Sequence, residues 1–297
     1  MSVFLSVADT LNFSRSSELL HMSLSAVSRT IGRLEEELGQ TVLERDNRSV
    51  KLTQRGREFR QYARKAVDDW QRLKQKLDSQ AALSGDISLY CSVTASYSVL
   101  APILEAFRIS HPAVAIMMHT GDQADGIVRV LSGQDDMAVT ARPVNLSQRL
   151  AFLTLRESPL VLFAPTTDCA VRDLIHSGDS HSKGVDWSKV PFIVPERGVS
   201  KELLDTWFAE QGINPQVYAQ VAGHEAIVAM VGLGLGVGIV PEIVIGASGM
   251  ADIIKRVGVS HPLPALQIGL CTLKNRLENP LVKSLWNTAQ AEGKINP

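Results

Sequence analysis

Apolar positions recur at helical spacing through the first fifth of the chain. Val3, Phe4, Val7 and Leu11 fall at i, i+1, i+4 and i+8, one face of a first helix. Phe13 to Leu20 predicts a second, short helix, with Ser14 placed to cap it. A break at His21-Met22-Ser23 follows, and Ser23 is placed to cap a third helix. On that helix Val27, Ile31, Leu34 and Leu38 recur at spacings of 4, 3 and 4 and so face inward. Ala26, Arg29, Thr30 and Arg33 then face outward, and Gly39 suits the helix end. Thr41–Arg45 and Ser49–Leu52 are short extended runs around Asp46-Asn47-Arg48, the pattern of a hairpin.

Two short helices joined by a tight turn, about Phe13 to Gly32, are how a helix-turn-helix offers its second helix to the major groove. The candidate DNA-contacting residues are Ser23, Ser25, Ala26, Ser28, Arg29, Thr30 and Arg33, with Arg45 and Arg48 on the hairpin. Ser25 lies in the first turn, where base edges are reached, and Arg29 has the fork that suits guanine O6 and N7. Arg33, further along, is better placed for a phosphate. Arg45, Arg48 and Lys51 would sit on or near backbone phosphates or a minor groove. Any one of these arginines alone reads as a solvated face. Capped helix, turn, capped helix and basic wing together predict a winged helix-turn-helix over residues 1–52 that binds double-stranded operator DNA.

Residues 53–83 predict a long linker helix capped by Thr53. Phe59, Ala63, Val67, Trp70, Leu73 and Leu77 follow spacings of 4, 4, 3, 3 and 4, a narrow seam on an otherwise charged helix. The seam suits helix-to-helix dimerisation or packing on its own domain. One helix-turn-helix reads few base pairs, so a homodimer or homotetramer is expected. Residues 82–85 form the hinge into the body.

From residue 84 the pattern changes to short apolar runs alternating with helical segments. Strands are predicted at 86–91, 114–119 and 137–140, with helices at 94–110 and 125–131 between them. That order argues for a parallel α/β sheet. A second unit follows, with strands at 160–164, 192–194 and 267–272 and helices at 201–211, 225–233 and 280–291. The fold class is thus α/β with an all-α winged N-terminal domain. The glycine run from Gly232 to Gly238 lacks the order of a phosphate loop and has no Lys-Ser/Thr after it. Close packing of a helix end on a strand explains it better.

The 297 residues carry a formal charge of −1, so the molecule is no general nucleic-acid glue. The distribution is uneven. Residues 1–82 hold 14 Lys and Arg against 11 Asp and Glu (+3), and the rest hold 16 against 20 (−4). A mildly basic head on an acidic body fits DNA contact at one end. The three cysteines form no CxxC or Cys/His cluster, so neither a disulfide framework nor a metal site is indicated, and no cofactor is called for. The start has no secretory pattern, and the most apolar stretch is too short to span a bilayer. A cytoplasmic protein with no membrane partner is expected. No Gly-x-Ser-x-Gly, HExxH, P-loop or dinucleotide fingerprint supports an enzyme.

The runs Phe13–Ser16, Ser25–Arg29, Ile31–Gly39 and Leu52–Gly56 resemble those of the LysR-type transcriptional regulators, and the similarity extends over essentially the full chain. The resemblance implies a ligand-responsive regulator whose residues 84–297 form a periplasmic-binding-protein-like effector domain of two α/β lobes. These would be about 84–158 with 266–297, and about 159–265. It also implies a small organic acid co-inducer and RNA polymerase as partners. Family members usually carry several more residues before the position of Phe4, so either the start is misassigned or the first helix is shortened. Residues 45–48, 91–98, 120–122 and 223–226 are similar to a branch that activates the acetohydroxy acid isomeroreductase gene of isoleucine and valine biosynthesis. A regulator of another pathway, with another small acid, is the alternative.

Open α/β sheets bind small molecules beyond the carboxyl ends of their strands, where helix starts offer N–H groups to anions. The candidate effector residues are therefore Ser92, Thr94, Thr120, Asp122 and Arg142 from one lobe and Arg197 and His224 from the other. For an acetohydroxy acid, Ser92 and Thr94 would take the carboxylate and His224 or Asp122 the hydroxyl. Ser92 and Thr94 also read as simple helix caps, His224 as a loop fixture, and Arg142 as half of an ion pair.

Overall fold

The computed structural model describes residues 1–45, 49–77, 83–176, 185–250, 252–259 and 261–293. The chain divides into two compact units, Met1–Leu83 with Leu131–Asp135, and Ser84–Val130 with Asp136–Pro297.

In the first unit α1 (Ser2–Thr10), α2 (Phe13–Leu19) and α3 (Leu24–Leu38) pack around Phe4, Val7, Ala8, Val27 and Ile31. Two expected inward positions depart. Leu11 adopts the left-handed conformation that ends α1 and is exposed, as is Leu38 at the far end of α3. At both places the apolar stripe outruns the neighbour it packs on. The cap of α2 also differs from expectation. The helix starts ahead of Ser14, so the Asn12 side chain, not Ser14, accepts from the Arg15 N–H at 3.0 Å. Ser23 caps α3, accepting from the Ala26 N–H at 3.2 Å, and Gly39 ends it at φ 60°.

β1 (Leu43–Arg45) and β2 (Val50–Leu52) form the hairpin, with Leu43 opposite Leu52. Glu35 ties it to α3 by accepting from the N–H groups of Val42 and Leu43, at 2.9 and 3.1 Å. α4 (Gln54–Leu77) begins at Thr53, whose hydroxyl accepts from the Gly56 N–H at 2.8 Å. Gly56 is where this helix crosses the hairpin, since a Cβ there would lie 2.0 Å from the Val42 carbonyl oxygen. The linker seam divides. Ala63 is buried and Phe59 meets Phe4 edge-on at 4.9 Å, whereas Trp70 and Leu73 are 62% and 47% exposed.

The second unit runs β3 (Gly85–Cys91), α5 (Val93–Ser98), α6 (Leu100–Ser110), β4 (Val114–Thr120), α7 (Gly126–Leu131), β5 (Met137–Ala141), β6 (Leu150–Pro165) and α8 (Ala170–His176). It continues with β7 (Pro191–Pro195), α9 (Val199–Glu210), β8 (Gln216–Val221), α10 (His224–Gly232), β9 (Val237–Pro241), α11 (Glu242–Ala247), β10 (Ile254–Arg256), β11 (Ala265–Leu273) and α12 (Pro280–Glu292). The strands join in the order β4-β3-β5-β11-β6-β9-β7-β8, with β10 on β6.

The sheet is mixed, not wholly parallel as its early strands imply. β4, β3 and β5 are parallel, as are β8, β7 and β9. Between these groups β11 pairs antiparallel with both β5 and β6, and β6 antiparallel with β9. The chain leaves the first group along the 16-residue β6 and returns along β11, so two connecting strands must oppose each other. The helix expected over 94–110 breaks at Val99. Pro102 has no N–H to give the Ser98 carbonyl, which a continuous helix would require.

Alternate residues of the second group's strands face opposite layers. Phe192 and Val194 enter the main core, while Ile193 joins Phe163, Ile227 and Val240 on the other face. Gly238 lies beneath that second layer, where a Cβ would come 2.7 Å from the Phe163 ring. The glycine run thus packs a helix end against a strand.

Candidate functional site

On the first unit the outward face of α3 carries Ser25, Arg29, Thr30 and Arg33 exposed, with Ala26 and Ser28 half-buried beside them. Ser23 and Ser25 hydroxyls lie 3.1 Å apart at its start. The Thr30 hydroxyl bonds back to the Ala26 carbonyl at 2.8 Å, and the Arg29 Nε to the Ser25 carbonyl at 3.3 Å. These local bonds hold the two side chains along the helix. Ser28, Arg29, Gly32, Arg33, Glu35 and Glu36 line a shallow groove. Neither Arg29 nor Arg33 is in an ion pair among the described residues, so their charges are available to a polyanion. Arg48 and the Arg45 side chain lie outside the described residues.

In the second unit the strand-to-helix turns of both groups converge. β3 delivers Ser92, whose hydroxyl accepts from the Ala95 N–H at 3.2 Å and so caps α5. Thr94, 3% exposed, gives both its N–H and its hydroxyl to one carboxylate oxygen of Glu225, at 2.9 and 2.7 Å. Glu225 stands in the first turn of α10, in the opposite lobe. A second bridge begins where the Thr140 hydroxyl donates to the Gln123 carbonyl at 2.9 Å. The Gln123 side-chain amide then donates to Ser200 Oγ at 3.1 Å, and Ser200 lies 3.0 Å from His224 Nε2. A third bridge runs from the Tyr97 hydroxyl to the Ala247 carbonyl at 3.1 Å.

These contacts fix the ionisation of the site. Burial lowers the His224 imidazole to about 4, so it is neutral at physiological pH and can both donate and accept. Burial alone would raise the Glu225 carboxyl, but the two hydrogen bonds from Thr94 outweigh it and hold the group below its ordinary value. Burial raises Asp122, which caps the turn before Gln123 by accepting from the Ala124 N–H at 3.1 Å. Arg197 grips Asp125 with two nitrogens, at 2.6 and 3.1 Å, and lies 3.5 Å from Asp122. These hydrogen bonds and charges raise its pKa. Beside it Gly198, at φ 84°, brings its backbone so near the other lobe that a Cβ would lie 2.8 Å from the Ala124 Cβ.

The lobes border a partly open cavity of ≈ 20 Å³. Its polar end is made by Ser92, Thr94, Gln123, Thr140 and His224, and its apolar end by Val99, Val139, Pro241, Ile243, Val244 and Ile268. That volume admits about one water. The structure therefore brings Ser92, Thr94 and His224 together. Asp122 and Arg197 do not line the cavity; they pair with each other, and Arg197 also holds Asp125. Thr120 is exposed at the end of β4, and Arg142 lies over the Phe152 ring at 5.8 Å; neither lines the cavity. Gln123, Ser200 and Glu225 were not among the sequence candidates. Each sits one to three residues past a residue that was chosen, in the same strand-to-helix turns.

Residues 1–57 match the family model of the bacterial regulatory helix-turn-helix proteins of the lysR family, and residues 80–294 match the LysR substrate binding domain. The chain belongs to the LysR family. It is a DNA-binding transcriptional regulator, not an enzyme. It is 41% identical to the HTH-type transcriptional activator IlvY of Haemophilus influenzae over 96% of this chain and 97% of that protein. With IlvY of Salmonella typhimurium it is 41% identical, over 96% and 97%. The solved LysR-family regulator CbnR superposes with a TM-score of 0.62 at 20% identity, over 98% of this chain and 97% of that one. The effector binding domain of QuiR in complex with shikimate gives 0.61 at 22%, over 72% and 99%. At those identities the two structures speak for the LysR fold.

Proposed function

We propose that this LysR-type regulator is a cytoplasmic activator of branched-chain amino acid biosynthesis. Its co-inducer is an acetohydroxy acid, 2-acetolactate or 2-acetohydroxybutyrate, and its target is the isomeroreductase gene. The observation that carries the reading is the divided lining of the interlobe cavity. An acetohydroxy acid has a carboxylate, a ketone and a tertiary hydroxyl on a short branched aliphatic frame. Thr94 and Ser92 suit the carboxylate, Gln123 and neutral His224 the hydroxyl and ketone, and Val99, Val139 and Ile268 the alkyl groups. The IlvY relatives support the same pathway.

Either acid, with nine or ten non-hydrogen atoms, exceeds the present cavity, so its binding parts the lobes. The acid therefore favours one lobe arrangement over another, and that population shift is the signal. Exposed Trp70 and Leu73 on α4 suit pairing of two linker helices, which gives a dimer, or a tetramer built of two dimers, with paired heads on operator half-sites. Activation then passes to RNA polymerase. Isothermal titration of the full-length protein, with valine and pyruvate as controls, tests the ligand. Saturable binding of the acetohydroxy acids alone is expected. Binding of none, by protein that retains operator DNA, discards this co-inducer in favour of another small acid.

A further inference from the structure

We propose that Glu225 is a built-in competitor for the effector carboxylate, occupying the Thr94 donors until an acid displaces it. The inference rests on the cavity being the effector site. Thr94 has two donors here, its N–H and its hydroxyl, and both go to a single Glu225 oxygen. Thr94 is 3% exposed and borders a cavity with room for about one water, so its two donors have little solvent to turn to when Glu225 leaves. An incoming carboxylate has the same charge and shape as the group it replaces and leaves Thr94 satisfied. Two carboxylates cannot share that place. Glu225 is only partly buried, so it has a route to water once released.

The exchange also breaks a bond between lobes. Thr94 belongs to α5 in one lobe and Glu225 to α10 in the other. Displacement converts an interlobe contact into a contact between one lobe and the ligand. The residue thereby sets both the affinity for the acid and the change in lobe geometry that follows binding. A neutral compound of the same size lacks the charge to compete, which makes Glu225 a selector for anions.

Glu225→Gln tests this. The amide keeps the size but is a weaker acceptor, because hydrogen bonds to a charged acceptor are about twice as strong as neutral ones. Full-length wild type and variant are titrated with 2-acetolactate, and exchange of the Thr94 amide hydrogen is followed in both. The expected result is acid binding roughly tenfold tighter in the variant, with Thr94 exchange about tenfold faster. Equal or weaker binding by the variant overturns the competitor and leaves the effector site standing. If neither protein binds the acid, the effector reading fails instead. Amide exchange then decides the role of Glu225: lost protection supports it as the occupant of the Thr94 donors, and unchanged protection overturns it.

Discussion

His224 makes the stability of the effector domain depend on pH in a way that can be worked out. Its imidazole is 7% exposed and titrates at about 4, against an ordinary value of 6.5. The unfolded chain takes up this proton near 6.5 and the folded chain only near 4. Between those values the unfolded state binds more protons, so stability falls as pH falls through the window and levels off below it. Most of the cost between pH 7 and pH 5 comes from the 1.5 units below the unfolded value, about 2 kcal/mol at ~1.36 kcal/mol per unit. For a domain of this size that is a drop of roughly 4–8 °C in Tm. Carboxylates also titrate there, so the comparison is with His224→Gln, which keeps a polar partner for Ser200 and cannot take up a proton. Differential scanning calorimetry at pH 7, 6 and 5 should give the wild type the steeper loss. Parallel pH slopes for the two proteins would refute a buried neutral histidine.

Two further substitutions test the DNA-binding head. Arg29→Ala should cost about 1–3 kcal/mol against operator and little against scrambled duplex, while Arg33→Ala should weaken both alike and lower the salt slope by about 1. Fluorescence anisotropy over a salt series separates them, and equal losses on both duplexes for Arg29→Ala would remove its base-reading role. Gly56→Ala gains about 1 kcal/mol of helix propensity but forces a Cβ onto the Val42 carbonyl. A net loss of about 2 kcal/mol or more is expected in urea unfolding followed by circular dichroism, and a stabilised variant would contradict the close crossing of α4 and the hairpin.

The head was legible because its signals are local. Caps, a tight turn and a periodic apolar face are written within a few residues of one another, as at Ser23, Val27, Ile31 and Gly39. Helix ends are less legible, since Asn12 and Ser14 are both good caps and only the start of α2 decides between them. The mixed sheet was less legible. Strand direction depends on which remote segments pair, and nothing within β6 or β11 announces that one carries the chain out and the other back. The candidate effector residues follow the same division. A strand-to-helix turn marks a neighbourhood, and Ser92, Thr94 and His224, read from such turns, line the cavity. Which member of a turn faces the cavity depends on what packs opposite it, and so Gln123 lines the cavity and Ser200 and Glu225 bond to its lining residues, while Thr120 and Arg142 stand apart from it.

The most direct test of a ligand-gated activator is a footprint. Full-length protein is bound to an operator selected from random duplexes, and nuclease protection is mapped with and without 2-acetolactate, for wild type and for Ser92→Ala with Thr94→Val. The acid should alter the wild-type footprint and leave that of the double variant unchanged, although both proteins hold the operator. An unaltered wild-type footprint, or a double variant that responds like the wild type, would contradict the account.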